Sequence, residues 1–443
     1  MFRETSPTLA VSESIAHTEA LDLVAHNASL SDEPFRVNNA FRLDPDPRKV
    51  NLSIGVFRSD QAAPWPLPVV QKAEQIIHQE QDPYRHEYKG IIGDEGFLSA
   101  ARDLAFGFDK TTHQQDANRV VSVQAISGTG ANHIGAMLIA RRFRPINVWL
   151  PDPTWSNHYT IWDFVGVRCR AYPYYDEVAQ SMNLEAMVGT LSTQACKGDA
   201  IVLQACAHNP TGTDPTRDEW KKIALTCRQL GLIVLFDSAY QGFATGNVDD
   251  DAWAVRYFFG QKLDICVAQS FSKNFGLYGQ RVGVLHVALA EPSAEDAAAI
   301  LSELTHFIRA EYSTAPGWGS TIVKRVLKDP ELRSQWIQDL GTMSRRIRSM
   351  REALFRKLVE LQTPGSWEHL LTQVGMFSYT GLGPRQVSVM RRQHHIYMLQ
   401  SGRISLSGLV SEQLTSMQVQ SSNVSYVASC IDNVIRDANI DVE

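Results

Sequence analysis

Little in this 443-residue chain suits a membrane, a nucleic acid or a disulfide scaffold. No apolar run approaches the roughly 18 residues that a membrane-spanning helix needs. Lysine and arginine number 42 against 48 acidic residues, a formal charge of −6. No basic excess exists to neutralise a phosphate backbone, so no nucleic-acid partner is expected. The six cysteines, Cys169, Cys196, Cys206, Cys227, Cys266 and Cys430, are scattered, without a Cys-x-x-Cys pair or metal-like clustering. They read as free thiols of a reducing compartment, and no metal is expected. Repeats and low-complexity segments are missing too. Residues 1–34 hold one arginine and no lysine beside six acids. A secretory signal needs a basic start and an apolar stretch, and a mitochondrial presequence needs arginine and few acids. That segment therefore reads as an N-terminal extension of a cytoplasmic protein.

What is present is the alternation of an α/β fold. Val120 to Val123, Asn147 to Leu150, Ala200 to Ala205, Leu232 to Phe236, Asp264 to Ala268 and Val282 to Val287 are short apolar runs separated by amphipathic stretches. The pattern predicts a mostly parallel sheet with helices on both faces. The Leu232–Phe236 run is continuously apolar, as a strand covered on both sides should be. Asp214 or Thr216 is expected to cap the helix before Gly231, whose position suits a helix C-terminus. A charged amphipathic helix is expected from about Pro330 to Leu361, with a second, smaller α/β domain beyond it.

Ligands of doubly wound sheets bind outside the C-terminal ends of the strands, and several chemical groups fall there. Asp237 closes one strand; a carboxylate there needs a cationic or hydrogen-bonding partner, such as a protonated ring nitrogen, unless it serves as a cap. Lys273, in Ser270-Phe271-Ser272-Lys273-Asn274-Phe275-Gly276, follows another. A lysine so placed can form a Schiff base with an aldehyde, although most lysines are solvated surface residues. Ser270, Ser272 and Arg281 offer phosphate donors, and Gly128-Thr129-Gly130 lies between strand and helix, where backbone N–H groups bind anions. The same glycines come near a dinucleotide fingerprint, with Asp152 as the later acid. His133 occupies the third glycine's place, however, and Asp237 and Lys273 would be left without roles. Asn209, Tyr240 and Arg403 have ordinary structural explanations when taken singly.

Together these segments resemble one family. Ala205-Cys206-Ala207-His208-Asn209-Pro210-Thr211-Gly212, Phe236-Asp237-Ser238-Ala239-Tyr240-Gln241-Gly242-Phe243-Ala244 and Gln269-Ser270-Phe271-Ser272-Lys273-Asn274-Phe275-Gly276-Leu277-Tyr278 are similar to the aspartate aminotransferases, pyridoxal-phosphate (PLP) enzymes of fold type I. The likeness runs from about Val37 to Ile435, in the family's order. It implies a large PLP-binding domain, residues 63–342, and a small domain of residues 35–62 and 343–443. It implies that Lys273 carries the cofactor, that Asp237 pairs the ring nitrogen and that Tyr240 and Asn209 bond the ring hydroxyl. Trp155 would stack on the ring, and Ser127, Gly128, Thr129, Ser270, Ser272 and Arg281 would hold the phosphate. Arg403 would bind the substrate α-carboxylate, with Gly55 near the substrate.

Tyr88 and Arg309 match residues given across a homodimer to a shared site, one to the phosphate and one to a second substrate carboxylate. The implied reaction passes the amino group of L-aspartate to 2-oxoglutarate by ping-pong chemistry. Three departures bear on the substrate. Tyr312-Ser313-Thr314-Ala315-Pro316 replaces Trp-Ser-Asn-Pro-Pro, Gln204 stands where a histidine often sits, and Ser53-Ile54-Gly55 replaces Gly-Val-Gly. They keep open an aromatic or specialised aminotransferase on the same scaffold. Elimination or decarboxylation, and a non-catalytic binding protein, are further alternatives.

Overall fold

The computed structural model describes residues 33–108, 114–410, 414–415, 418–419 and 422–437. Its centre is a seven-stranded sheet: β1 Val120–Ile126, β2 Asn147–Asp152, β3 Arg168–Pro173, β4 Ala200–Gln204, β5 Ile233–Ser238, β6 Ile265–Ser270 and β7 Val282–Ala288. The spatial order is β1-β7-β6-β5-β4-β2-β3. All neighbours are parallel except around β7, which runs antiparallel to both β1 and β6.

The expected mostly parallel sheet is thus present, with one reversed strand. The reversal matters for the site. β6 and β7 are joined by a direct loop, residues 271–281, rather than by a helical crossover. Both ends of that loop therefore lie at the sheet edge where β1, β2, β4 and β5 end. Ser270 pairs with Gly283 and Ile126 with Val282, which fixes that edge in register.

Strand composition follows from double burial. On β5, Val234 and Phe236 pack into one apolar layer and Leu235 into the layer on the opposite face. Successive side chains of a strand point to opposite faces, so a strand covered on both must be apolar throughout. Each large side chain buried this way contributes roughly 1.5–3 kcal/mol. The helix Arg217–Leu230 starts in a capping box: Thr216 Oγ1 accepts from the Glu219 N–H at 3.3 Å and Glu219 Oε2 accepts from the Thr216 N–H at 2.7 Å. It ends on Gly231 at φ 63°. Asp214, the other expected cap, instead accepts from the backbone N–H groups of Ala207 (2.6 Å) and His208 (2.9 Å).

The expected long helix spans Pro330–Glu360, 31 residues, with Asp329 capping its start. It crosses the expected boundary at residues 342–343 without a break. Trp336, Leu340, Met343 and Ile347 of this helix share one apolar cluster with Phe271 and Phe275 of the β6–β7 loop and with Phe377, Ile396 and Ile404. Trp336 also donates from Nε1 to the Asn274 carbonyl at 2.8 Å. The strand-like segment expected at Gly375 to Thr380 is a short strand, Phe377–Tyr379, paired antiparallel with Arg403–Ser405. Of the expected N-terminal extension, residues 1–32 lie outside the described residues; Pro34 belongs to the helix Glu33–Leu43.

Candidate active site

A cavity of about 480 Å³ opens at the strand-end edge of the sheet. Lys273, Asp237, Tyr240, Trp155, Asn209, Ser127, Gly128, Thr129, Ser270, Ser272, Arg281, Gly55 and Arg403 all line it. Two expected site residues do not. Tyr88 is 88% exposed, and Arg309, exposed near the end of the helix Ala294–Glu311, bonds the Ser313 hydroxyl.

One end of the cavity is built to hold an anion. Gly128-Thr129-Gly130 is not a loop before the helix, as the sequence suggested, but its first turn: the helix spans Ser127–Phe143. Its free N–H groups and positive dipole end face the cavity rim. Ser127 Oγ lies 2.9 Å from Ser272 Oγ, and Ser270 Oγ accepts from the Ser272 N–H at 3.2 Å. A Cβ on residue 128 would sit 2.8 Å from Ser270 Cβ, so only glycine lets the helix approach that strand,. Arg281 donates to the Tyr278 carbonyl at 3.0 Å, and burial holds its guanidinium below the ordinary arginine range. Four hydroxyls, a helix start and a guanidinium converge there, a donor set suited to a phosphate dianion.

The middle of the cavity carries the reactive groups. The Lys273 amine lies 4.9 Å from the Tyr240 ring centroid. Burial pushes its pKa below the ordinary lysine value; the Asp237 charge opposes that and Arg281 adds to it. A lysine so depressed is the kind that can lose its proton and act as nucleophile or base. Tyr240 is buried, and its phenol is pushed up by that burial, so it stays protonated and can donate. Asp237 is buried and accepts from His158 Nε2 at 3.0 Å. Trp155 stands at the wall, its ring edge-on to His158 at 5.2 Å.

At the far end Arg403 is 6% exposed. It donates from Nη1 to Asn209 Oδ1 at 3.3 Å and from Nη2 to the Ser53 carbonyl, and its guanidinium lies 4.3 Å from the Phe377 ring centroid. Gly55 must be glycine here: a Cβ would meet Phe377 Cζ at 2.6 Å.

A profile of the family described as aminotransferase class I and II matches residues 47–417. The chain belongs to that family. The class I and II aminotransferases similar to it differ in the substrates their names give. An L-tyrosine:2-oxoglutarate aminotransferase of Aspergillus ustus is 51% identical over 92% of this chain and 77% of its own length. The cytoplasmic aspartate aminotransferase of Saccharomyces cerevisiae is 42% identical over 93% of this chain and 96% of its own. Among solved structures, the aromatic-amino-acid aminotransferase of Burkholderia pseudomallei, covalently bound to pyridoxal phosphate, superposes with a TM-score of 0.86. It is 35% identical, and the match covers 93% of this chain and 99% of that one. The fold-type I architecture and the aminotransferase identity read from the sequence therefore hold.

Sequence reasoning missed several residues of the site. His158 and Thr154 lie behind Asp237, and Thr154 Oγ1 is 2.8 Å from His158 Nδ1. Gln204 lines the cavity, although the sequence marked it only as a departure. Tyr278 accepts the Phe57 N–H at 2.9 Å, and Asn132 holds the first turn of its helix by donating to the Gly128 carbonyl at 3.0 Å. Pro34 and Phe35 sit at the mouth. A histidine four residues after Thr154 was the one available signal. Nothing in a linear pattern says that it faces an aspartate 79 positions on.

Proposed function

We propose that this aminotransferase moves the amino group of L-aspartate to 2-oxoglutarate, releasing oxaloacetate and L-glutamate, with pyridoxal phosphate seated in the 480 Å³ cavity. The observation that carries the reading is the alignment of three unlike groups along one cavity: the phosphate cradle, the Lys273–Asp237 pair and the buried Arg403. The residues suit the cofactor. Ser127, Thr129, Ser270, Ser272, Arg281 and the start of helix Ser127–Phe143 would hold its phosphate. Asp237 would keep a proton on its ring nitrogen, Tyr240 and Asn209 would bond its ring hydroxyl, and Trp155 would cover its face. Lys273 would bind its aldehyde carbon.

Pyridoxal phosphate, when bound, supplies a carbonyl that takes the amino group and a protonated ring that draws off the electron pair left at Cα. The chain's own groups do the rest. Arg403 grips the α-carboxylate, so the Cα–H bond has one orientation relative to Lys273. The Lys273 amine, with its depressed pKa, takes the Cα proton on Nζ and returns it to the cofactor side,. A water would supply the carbonyl oxygen of the departing oxo acid; a second oxo acid would then take the amino group with loss of water, Lys273 Nζ moving the proton the opposite way, which gives ping-pong kinetics.

The reading extends to assembly and place. Tyr88 and Arg309 are exposed and outside the cavity of their own chain, so we assign them to the cavity of a second copy in a homodimer. Arg309 would then meet the second carboxylate of aspartate. Residues 35–62 and 343–443 would form the small domain and residues 63–342 the large one. The cytoplasmic location named for the yeast relative is the location proposed here.

A second reading, tyrosine or another aromatic donor, is favoured by the Aspergillus ustus relative and by Thr314 within the changed segment Tyr312 to Pro316. The deciding measurement is kcat/KM for aspartate, cysteine sulfinate, tyrosine and phenylalanine with 2-oxoglutarate as acceptor. Preference for the two acidic donors supports the first reading. Preference for the aromatic pair replaces it with the second.

A further inference from the structure

Gln204 ends β4 and pairs in the sheet with Asp237 on β5. Its amide is oriented by main chain. Oε1 accepts the Asn209 N–H at 2.8 Å, and Nε2 donates to the Asn209 carbonyl at 2.9 Å. A flipped amide would set donor against donor and acceptor against acceptor, so the orientation is dictated. The second Nε2 proton then points to Thr154 Oγ1, at 3.4 Å. That oxygen has one other neighbour among the described residues, His158 Nδ1 at 2.8 Å. Since Gln204 can only donate to it, the hydroxyl proton goes to Nδ1. His158 therefore accepts at Nδ1 and donates from Nε2 to Asp237 Oδ2 at 3.0 Å.

The geometry points to Gln204 as a positioning residue that holds His158 neutral, so that Asp237 keeps its full negative charge toward the cavity. A second proton on His158 Nδ1 would leave the Thr154 hydroxyl without an acceptor, a costly state for a buried polar group. An imidazole at position 204 would present either a donor or an acceptor toward Thr154. An amide whose oxygen is already engaged offers only the donor. The titratable groups facing His158 are Asp237 and His208, and burial holds His208 well below its ordinary range. Gln204 also grips both polar groups of the Asn209 backbone, and the Asn209 side chain accepts from Arg403. One amide thus ties the carboxylate end of the cavity to the Asp237 end. The inference rests on the proposed transamination for its catalytic meaning but not for its measurement.

The test is 15N NMR of the histidine rings at about pH 7, on the wild-type protein with and without pyridoxal phosphate and on Thr154→Ser, Thr154→Val and Gln204→Glu. In the wild type and in Thr154→Ser, His158 should show one protonated nitrogen and one bare nitrogen that accepts a hydrogen bond. Thr154→Val should remove the hydrogen-bond shift of the bare nitrogen. It should also lower kcat about tenfold at unchanged KM, because it leaves Asn209 and Arg403 in place. Gln204→Glu, which offers Thr154 an acceptor, should put protons on both His158 nitrogens. A wild-type His158 already protonated on both nitrogens overturns the inference. So do Thr154→Val and Gln204→Glu proteins whose His158 signals match the wild type. Should Gln204→Glu fail to fold, the two Thr154 variants decide alone. Failure of the transamination reading would look different: no amino transfer to 2-oxoglutarate, with the His158 signals as expected.

Discussion

The cofactor end of the cavity and its mouth differ in how their side chains are held. Asp237, Ser270, Ser272 and Asn209 are all buried, and each is fixed by main chain or by a neighbour that is itself bonded. Asp237 and Ser270 stand at the ends of packed strands, and Ser272 and Asn209 in the loops that follow such ends. The mouth is built from Pro34, Phe35, Ile54 and Val56, and Phe35 is 66% exposed. Arg309 is not in this cavity at all. Rigid strand ends can place a reacting atom accurately, whereas short helical and loop segments can change without disturbing the sheet. On that basis we propose that the chemistry belongs to the first region and that the second can vary without disturbing it.

Four changes would break or sharpen the contrast. The largest effect is expected at the inner end. Lys273→Ala should reduce amino transfer from every donor by about 10²–10⁴-fold or more while leaving the thermal midpoint nearly unchanged. Turnover that survives this change would remove Lys273 from the chemistry. Next is Arg403→Leu, which takes away a buried charge and leaves its partners unpaired. Steady-state kinetics should show kcat/KM falling about 100-fold or more for aspartate and tyrosine alike.

A smaller and selective effect is expected from Arg309, which lies outside this chain's own cavity and was proposed above to reach that of a second copy. Arg309→Leu should lower kcat/KM for aspartate about tenfold or more and leave tyrosine nearly unaffected. Equal losses for both donors would place Arg309 outside substrate selection. The smallest effect concerns stability rather than catalysis. His286 is fully buried between Ser122 Oγ (2.8 Å) and Gln269 Oε1 (3.1 Å), and burial pushes its pKa down to about 3. The unfolded chain protonates this ring near its ordinary 6.5, the folded chain only near 3, so its contribution to stability is lost as pH falls through that window,. Asp214 acts in the opposite sense: pushed up to about 6 by burial, it costs stability as pH rises from 3.8 to about 6. Urea titrations should therefore show His286→Gln losing less stability on acidification than the wild type.

The inner end was also the more legible in sequence. Asp237 and Lys273 follow apolar runs, and their identity as strand-end groups could be read from that pattern alone. The Thr216 cap and Gly231 were readable because helix ends use local chemistry. Two things were hidden. The reversed direction of β7 was one, since a strand buried on both faces has the same composition whichever way it runs. The other was the Gln204–Thr154–His158–Asp237 chain, whose members come from three segments 50 and 79 positions apart. Local pattern cannot pair residues that only tertiary packing brings together. The triplet at residues 128–130 falls between strand and helix in the linear pattern, and its place inside the helix was not legible there. Here the close approach of Ser270 requires the missing Cβ inside the first helical turn,.

The helix Pro330–Glu360 carries a mechanical consequence. At 1.5 Å per residue its 31 residues form a rod about 46 Å long; near its start Trp336 bonds the Asn274 carbonyl of the β6–β7 loop, and further along Arg351 bonds the carbonyls of Val374 and Gly375, just before the strand Phe377–Tyr379 that pairs with Arg403–Ser405,. A tilt of about 5° pivoting on the loop end would sweep the other end through about 4 Å, more than the length of a hydrogen bond. Small repacking around Trp336 would thus be magnified along the rod toward the segment that Arg351 holds, beside the strand that bears Arg403.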